Sequence, residues 1–224
     1  MMSAMSSMTD EIKAALIAEA DPERAPAQQA YMKSAMPFYG VPMPRVRELT
    51  RAVAARFSPD LAAVEAASRE LWDAATHREE RHAALALTGL RVAKGRLELA
   101  GLHEYQARTG AWWDFTDEIA HRIADLLDAH PEEAAALVRA WSRSDTFWVR
   151  RLAILSQLQR KTRTDAALLT EVIEVNAADS EFFIRKAIGW ALRNYAFTDP
   201  DWVRLFVDAH TLSPLSYREA IKHL

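Results

Sequence analysis

The chain has 224 residues, of which 50% are hydrophobic and 26% charged, so we expect a soluble protein with a sizeable core. It contains no cysteine, which excludes disulfides, thiolate nucleophiles, cysteine-ligated zinc and iron–sulfur clusters. No apolar run reaches the roughly 18 residues of a membrane span, and no signal peptide is recognisable. These features predict a cytoplasmic protein that does not enter a membrane.

The charges are segregated along the chain. The formal net charge of −3 argues mildly against a nucleic-acid partner. Between Arg139 and Arg163, however, seven residues are basic and one is acidic, whereas between Asp114 and Glu133 seven are acidic and one is basic. This pattern permits a local basic surface on an acidic protein.

Nearly every segment is typical of a helix, and the breaks between segments carry helix-start chemistry. We therefore predict an all-α chain of about a dozen helices. Residues 1–8 are predicted to be a disordered leader and residues 9–224 a single domain. The predicted starts are at Asp21-Pro22-Glu23, Ser58-Pro59-Asp60, His130-Pro131-Glu132, Thr164-Asp165, Ser180-Glu181, Asp199-Pro200-Asp201 and Ser213-Pro214.

The helices recur at a regular interval. Trp113, Trp148 and Phe183 are each 35 residues apart, and each is predicted to begin a helix, with one further helix between them. Two helices in about 35 residues indicate helical-hairpin repeats that bury their apolar faces against their neighbours. This spacing predicts an α-solenoid with a concave surface, across which equivalent positions of successive repeats align.

One face of these repeats collects unusual side chains. Trp113 and Asp117 lie one turn apart on the helix that begins at Trp113, and they point away from its core stripe. Alignment at the 35-residue interval brings Arg151, Lys186 and Trp190 onto the same face, about 100° wide. The predicted core stripe of the helix is Phe115, Ile119, Ile123 and Leu126.

The composition of this face suits a particular ligand. Two indoles beside a carboxylate and cations match a polyanionic backbone that carries an electron-poor reacting centre. A cation over an indole gains roughly 0.5–2 kcal/mol. Arg150, Arg151 and Lys186 would hold phosphates, which dominate the affinity for nucleic acid.

Three motifs of the chain resemble those of the AlkD family of DNA alkylation repair glycosylases. The segments at both ends are also similar, and the resemblance runs from about Gln29 to the C-terminus in the same order. The motifs are Trp112-Trp113-Asp114-Phe115-Thr116-Asp117, Phe147-Trp148-Val149-Arg150-Arg151 and Glu181-Phe182-Phe183-Ile184-Arg185-Lys186-Ala187-Ile188-Gly189-Trp190, with Tyr31-Met32-Lys33, Pro37-Phe38-Tyr39-Gly40-Val41-Pro42 and Leu215-Ser216-Tyr217-Arg218-Glu219-Ala220 at the ends.

The resemblance implies a HEAT-like solenoid that holds duplex DNA in its concave groove. It implies removal of positively charged alkylated purines, such as N3-methyladenine and N7-methylguanine, in base excision repair. Carried over to this chain, Asp117 is the catalytic carboxylate, and Trp113 and Trp190 flank the deoxyribose and backbone of the lesion. Arg151 contacts phosphate, and Tyr31 lies near the lesion.

The chemistry agrees with these residue types. An alkylated purine already carries positive charge, so it leaves without a general acid. Asp117 need only stabilise the oxocarbenium-like sugar and orient a water molecule. We expect a monofunctional, monomeric DNA glycosylase that needs no cofactor.

The same residues also allow structural roles without catalysis. Taken alone, Asp117 would be a solvated helix acid, and Trp113 and Trp190 would be core aromatics. Trp112 and Trp148 are assigned to packing.

A metal site is not expected. Asp117 and His121 are one turn apart, and His77 lies near His82, but neither pair has a third ligand at suitable spacing.

Two other functions stay open. A non-catalytic DNA-binding protein of the same fold would recognise distorted or branched duplex. A protein-interaction scaffold is a common role of helical repeats, but the basic run from Arg139 to Arg163 argues against it.

Overall fold

The computed structural model describes residues 6–224, and over that range it contains thirteen α-helices and no strand. The all-α prediction is therefore confirmed. The helices are α1 (Met8–Ala18), α2 (Ala25–Met32), α3 (Met43–Phe57), α4 (Leu61–Asp73), α5 (Arg78–Leu87), α6 (Ala100–Gly110), α7 (Trp113–Ala129), α8 (Pro131–Trp141), α9 (Phe147–Leu155), α10 (Ala166–Glu174), α11 (Phe182–Ala196), α12 (Pro200–Ala209) and α13 (Pro214–Ala220). Within the described range, none of these helices has the length and apolarity needed to cross a bilayer.

Side-chain caps begin most of the predicted helices. The capping side chains accept hydrogen bonds from first-turn amides, which otherwise have no partner within the helix. The start predicted at Asp21-Pro22 is wrong, because α2 begins only at Ala25 and Asp21 instead accepts from the amides of Glu23 and Arg24 to close a turn. The caps that match the predicted starts are Asp60, Asp165, Glu181, Asp199 and Ser213.

The last two residues of the predicted leader belong to an ordered helix start. Residues 1–5 lie outside the described range, but Ser7 caps α1 in a capping box with Asp10, and Met8 is the first helical residue and is buried.

The contacts divide the chain into two compact units, Met1–Lys94 and Gly95–Leu224. That residues 9–224 act as a single domain stays a prediction. In the first unit, α3, α4 and α5 pack together and α1 contacts all three. Its core includes Ile12, Leu16, Val46, Leu71, Trp72 and Leu85.

In the second unit the helices form two layers. One layer, which we call the site layer, consists of α7, α9, α11 and α13, each contacting the next. Helices α8 and α10 contact each other and pack behind it. This is the arrangement of helical-hairpin repeats, in which each repeat packs on its neighbours. The stripe Phe115, Ile119, Ile123 and Leu126 is at most 1% exposed, as predicted.

Candidate functional site

A buried ion pair joins the first two helices of the site layer. Arg151 on α9 donates from Nε to Oδ1 of Asp117 on α7 over 2.8 Å and from Nη2 to Oδ2 over 2.9 Å. This is the bidentate geometry that gives Arg–carboxylate pairs both strength and fixed orientation. The side chains of Arg151 and Asp117 are only 4% and 15% exposed. The pair therefore holds the carboxylate in one orientation.

The remaining terminal nitrogen of Arg151 reaches a third helix. Its Nη1 donates to the backbone carbonyl of Phe183 on α11 over 2.7 Å. Each nitrogen of the guanidinium therefore has a partner within the protein. The sequence suggested that Arg151 contacts phosphate, whereas in this structure it connects α7, α9 and α11.

Burial changes the titration of Asp117. Withdrawal from water raises the pKa of the Asp117 carboxyl, and the neighbouring Asp114 raises it further. The hydrogen bonds and charge of Arg151, with a smaller contribution from His121, act in the opposite direction but do not outweigh burial. The charged form of this carboxylate is therefore less favoured than that of an exposed aspartate.

The two predicted site tryptophans are half-buried. Trp113 is the first residue of α7, one turn before Asp117, and Trp190 lies in α11, one turn after Lys186. Both belong to the site layer. That these two indoles flank a common ligand stays a prediction.

A cluster of aromatic rings joins the N-terminal ends of α7, α9 and α11. We call it the aromatic cluster, and its members are Trp112, Phe147, Trp148 and Phe183. Ring centroids lie 4.8 Å apart for Trp148 and Phe183, and 6.1 and 6.0 Å from Trp112 to each of them. These are ordinary distances for packed aromatic pairs. The packing roles predicted for Trp112 and Trp148 are confirmed.

Lys186 forms an ion pair with a residue of the last helix, α13. Its Nζ lies 2.7 Å from Oε1 of Glu219 on α13, and Arg193 also pairs with Glu219. Helix α13 approaches α11 closely at Gly189, where an added Cβ would lie 2.8 Å from the Ser216 carbonyl. Lys186 nevertheless keeps 39% of its side chain exposed. The sequence interpretation missed Glu219, although it stands in a motif that was noted.

The basic run predicted to form a DNA-binding surface is largely used for pairing within the protein. Arg150 pairs with Asp179 over 2.8 Å and donates to the carbonyls of Ser144 and Asp145. The other pairs are Arg139 with Glu171, Arg151 with Asp117, and Arg160 and Arg163 with Asp128. These pairs neutralise part of the local basic surface that the charge pattern permits between Arg139 and Arg163, and contact of this surface with DNA stays a prediction.

Tyr31 lies in the first unit, at the end of α2, and is 77% exposed. Its place near a lesion stays a prediction. In the same unit, the Tyr39-Gly40-Val41 segment of the noted motif is held by Glu79, which accepts from all three amides over 2.9 to 3.1 Å.

Phe183 is a second residue near the site to which the sequence interpretation gave no role. It was a marker of the 35-residue interval and part of a motif, and its backbone carbonyl offers no signal in the sequence. The doublets Phe147-Trp148 and Phe182-Phe183, each placed shortly before the basic doublets Arg150-Arg151 and Arg185-Lys186, were the available signal.

Known proteins resemble the chain over nearly its whole length. A family profile described as DNA alkylation repair enzyme matches residues 12–224. A structure described as a predicted DNA alkylation repair enzyme from Enterococcus faecalis is 31% identical with a TM-score of 0.84, covering 92% of this chain and 96% of that one. No relative was found among curated proteins.

Two further structures share the fold at lower identity. AlkD2 from Streptococcus mutans is 18% identical with a TM-score of 0.64, covering 82% of this chain and 91% of that one. The protein smu.31 from Streptococcus mutans UA159 is 17% identical with a TM-score of 0.66, covering 97% of this chain and 100% of that one. These matches agree with the α-solenoid of HEAT-like repeats expected from the sequence.

Proposed function

The chain belongs to the DNA alkylation repair enzyme family, and from this premise we propose that it is a monofunctional DNA glycosylase. Its substrates are positively charged alkylated purines in duplex DNA, such as N3-methyladenine and N7-methylguanine. The buried carboxylate of Asp117, oriented by one edge of the Arg151 guanidinium through two hydrogen bonds, is the observation that carries the proposal.

The proposed reaction is hydrolysis of the N-glycosyl bond. The bond between C1′ and the purine nitrogen breaks, and its electron pair neutralises the positive charge of the base. Water then adds to the oxocarbenium-like C1′ and loses a proton, leaving a free neutral base and an abasic sugar. The leaving group needs no protonation, so the protein has only to stabilise the developing positive charge and place the water.

Asp117 is suited to this task. A carboxylate has about four lone-pair sites, and Arg151 occupies one on each oxygen, so acceptor capacity remains for a water or for the electron-poor sugar. Partial burial strengthens its electrostatic attraction to a developing cation, because the effective dielectric constant is low there. Trp113 and Trp190 are proposed to flank the sugar and backbone.

The duplex is proposed to lie against the exposed side of the site layer. Lys186 is its proposed phosphate contact because much of its side chain remains exposed. Tyr31 is proposed to contact the DNA near the lesion. Arg150 and Arg151 are also proposed to contact phosphates, although in the protein alone both side chains donate to protein groups.

Release of methylated base tests the proposal. Purified protein is incubated with methylated duplex DNA, and free N7-methylguanine and N3-methyladenine are quantified. Asp117→Asn should reduce the single-turnover rate at least about 100-fold while DNA affinity changes little, because the charge acts mainly in the transition state.

Asp128→Asn is the matched control. Asp128 is on the same helix and also pairs with an arginine of the next repeat, Arg160, over 3.0 Å. The base-release rate of Asp128→Asn should stay within about threefold of the wild-type rate. Salt-sensitive DNA binding without any base release would instead favour the non-catalytic DNA-binding alternative.

We further propose that the protein acts as a cytoplasmic monomer and without a cofactor. A cationic leaving group makes metal assistance or nucleotide hydrolysis unnecessary for this reaction. Base release should persist in excess chelator. In analytical ultracentrifugation the protein should sediment as a monomer.

A further inference from the structure

We propose that Phe183 is a positioning residue for the catalytic carboxylate, because it holds Arg151 in the orientation that aligns Asp117. This inference rests on the proposed function and names a residue for it. Phe183 acts through two groups, its backbone carbonyl and its ring, and neither is proposed to touch the substrate.

The carbonyl of Phe183 fixes the end of the Arg151 side chain. Arg151 gives one edge of its guanidinium, Nε and Nη2, to Asp117, and the remaining nitrogen Nη1 to Phe183. A planar guanidinium that is anchored at all three nitrogens cannot rotate without breaking bonds to both partners. The orientation of Asp117 on α7 therefore depends on where α11 places the carbonyl of Phe183.

The ring of Phe183 fixes that carbonyl. The ring packs within the aromatic cluster against Trp148 and Trp112, which belong to α9 and to the start of α7. The Phe183 ring also lies 5.9 Å from Cζ of Arg151, within the range of a cation–π contact. One ring thus joins the first turn of α11 to both of the helices that carry the ion pair.

The neighbouring Phe182 provides a contrast on the same helical turn. Its ring is 50% exposed and meets the cluster only through an edge contact with Phe183, at 5.3 Å. No contact between Phe182 and Arg151 is found among the described residues. Removing this ring therefore deletes an aromatic side chain of equal size without loosening the guanidinium.

The charges around Asp117 predict how the pKa of its carboxyl should change if Arg151 becomes mobile. Arg151 faces the carboxylate from α9, while Asp114 and His121 lie on its own helix, α7. Arg151 lowers the pKa of the carboxyl against the effect of burial. If Arg151 becomes mobile, burial and Asp114 are less opposed, and the pKa of Asp117 rises further.

The experiment compares Phe183→Ala with Phe182→Ala in the full-length chain. Single-turnover base release is measured at saturating methylated DNA as a function of pH, together with DNA affinity. The side-chain carboxyl resonance of Asp117 is followed by carbon NMR through the same pH range, in protein without DNA, and is assigned with Asp117→Asn.

For Phe183→Ala we expect the rate at neutral pH to fall about tenfold, with DNA affinity within about twofold. The acid limb of the rate profile and the Asp117 resonance should both move to higher pH by about half a pH unit or more. Phe182→Ala should leave the titration of Asp117 at its wild-type position. Phe183→Leu, which keeps an apolar group in the cluster, should recover part of the rate.

Equal Asp117 titrations in the wild type and in both Phe183 variants would overturn the proposal, whatever happens to the rate. If Phe183→Ala does not fold, Phe183→Leu is compared with Phe182→Ala in its place. The NMR titration does not depend on catalysis, so wild-type protein that releases no base would overturn the proposed glycosylase activity while this positioning test still gives its answer.

Discussion

The two units of this protein each contain a carboxylate that is withdrawn from water, and the two differ in their hydrogen-bond partners. Glu79 is 0% exposed, and its oxygens accept from the amides of Tyr39, Gly40 and Val41. Asp117 is 15% exposed on its side chain, and among the described residues its carboxylate accepts hydrogen bonds from one side chain, that of Arg151. Three backbone amides surround the carboxylate of Glu79, whereas the one side chain that donates to Asp117 leaves part of its carboxylate accessible.

The comparison separates a structural carboxylate from a candidate catalytic one. Both are acids withdrawn from water, but only Asp117 stands in a motif noted in the sequence. The difference is the number of hydrogen bonds that each carboxylate already accepts and the exposure that each keeps. Substitutions in each region can therefore break or sharpen the distinction.

The largest effect is expected from Gly40→Ala in the Glu79 region. Gly40 has φ of +93°, and an added Cβ would lie 2.2 Å from the carbonyl oxygen of Asp21. Strain and overlap together should cost at least about 4 kcal/mol of unfolding free energy. Urea unfolding followed by circular dichroism measures the loss.

Gly101→Ala is the matched control for this change. Gly101 lies within α6, and nothing stands within 4 Å of an added Cβ. This substitution should raise stability by about 0.5–1 kcal/mol, since alanine is the better helix former. Equal effects of Gly40→Ala and Gly101→Ala on the free energy of unfolding would show that the Glu79 region is not rigid.

A smaller, pH-dependent loss is expected from Arg151→Ala. Removing one partner of a buried pair leaves the Asp117 charge without compensation and should cost about 3 kcal/mol at neutral pH. Because the pKa of Asp117 is already raised by burial, its charged form is the less favourable one, and the substitution raises this pKa further. The loss should therefore shrink as the pH falls and the carboxyl becomes neutral.

Urea unfolding of the wild type and Arg151→Ala at several values between pH 5 and pH 8 measures this trend. A loss that is constant across the range would contradict the assignment, because it would mean that Asp117 does not respond to its partner. Arg204→Ala, which removes an exposed i,i+3 pair with Asp201, is the control and should cost less than about 1 kcal/mol.

The smallest of the three losses is expected from Glu79→Gln. The amide keeps the shape of the side chain but places an NH₂ group where a carboxylate oxygen accepts, so at least one backbone amide loses its acceptor. The expected cost is about 2 kcal/mol. Base release should stay at the wild-type rate at temperatures where the variant is folded, which Asp117→Asn would not allow.

Much of the fold could be predicted from local patterns. The 35-residue interval of Trp113, Trp148 and Phe183 located α7, α9 and α11, although α9 and α11 each begin one residue earlier. The apolar period of α7 located its buried stripe. These predictions succeed because helix caps and apolar periods act between residues that are within one or two turns of each other.

The pairing of charges could not be predicted in the same way. The sequence shows an acidic segment followed by a basic one, a pattern that permits a local basic surface but does not say which charges pair. In the structure Asp117 meets Arg151 and Asp128 meets Arg160, each pair joining successive repeats. Which charges pair depends on the offset between stacked helices, and no local pattern encodes that offset.

By itself, the amino-acid sequence determined the helical class, the repeat interval and the face of α7 that carries Trp113 and Asp117, because these depend on periodicity along one helix. Only the tertiary structure decided that Arg151 holds Asp117 and that Phe183 holds Arg151. Those contacts join residues that lie 34 and 32 positions apart on three helices, so they exist only once the repeats are stacked.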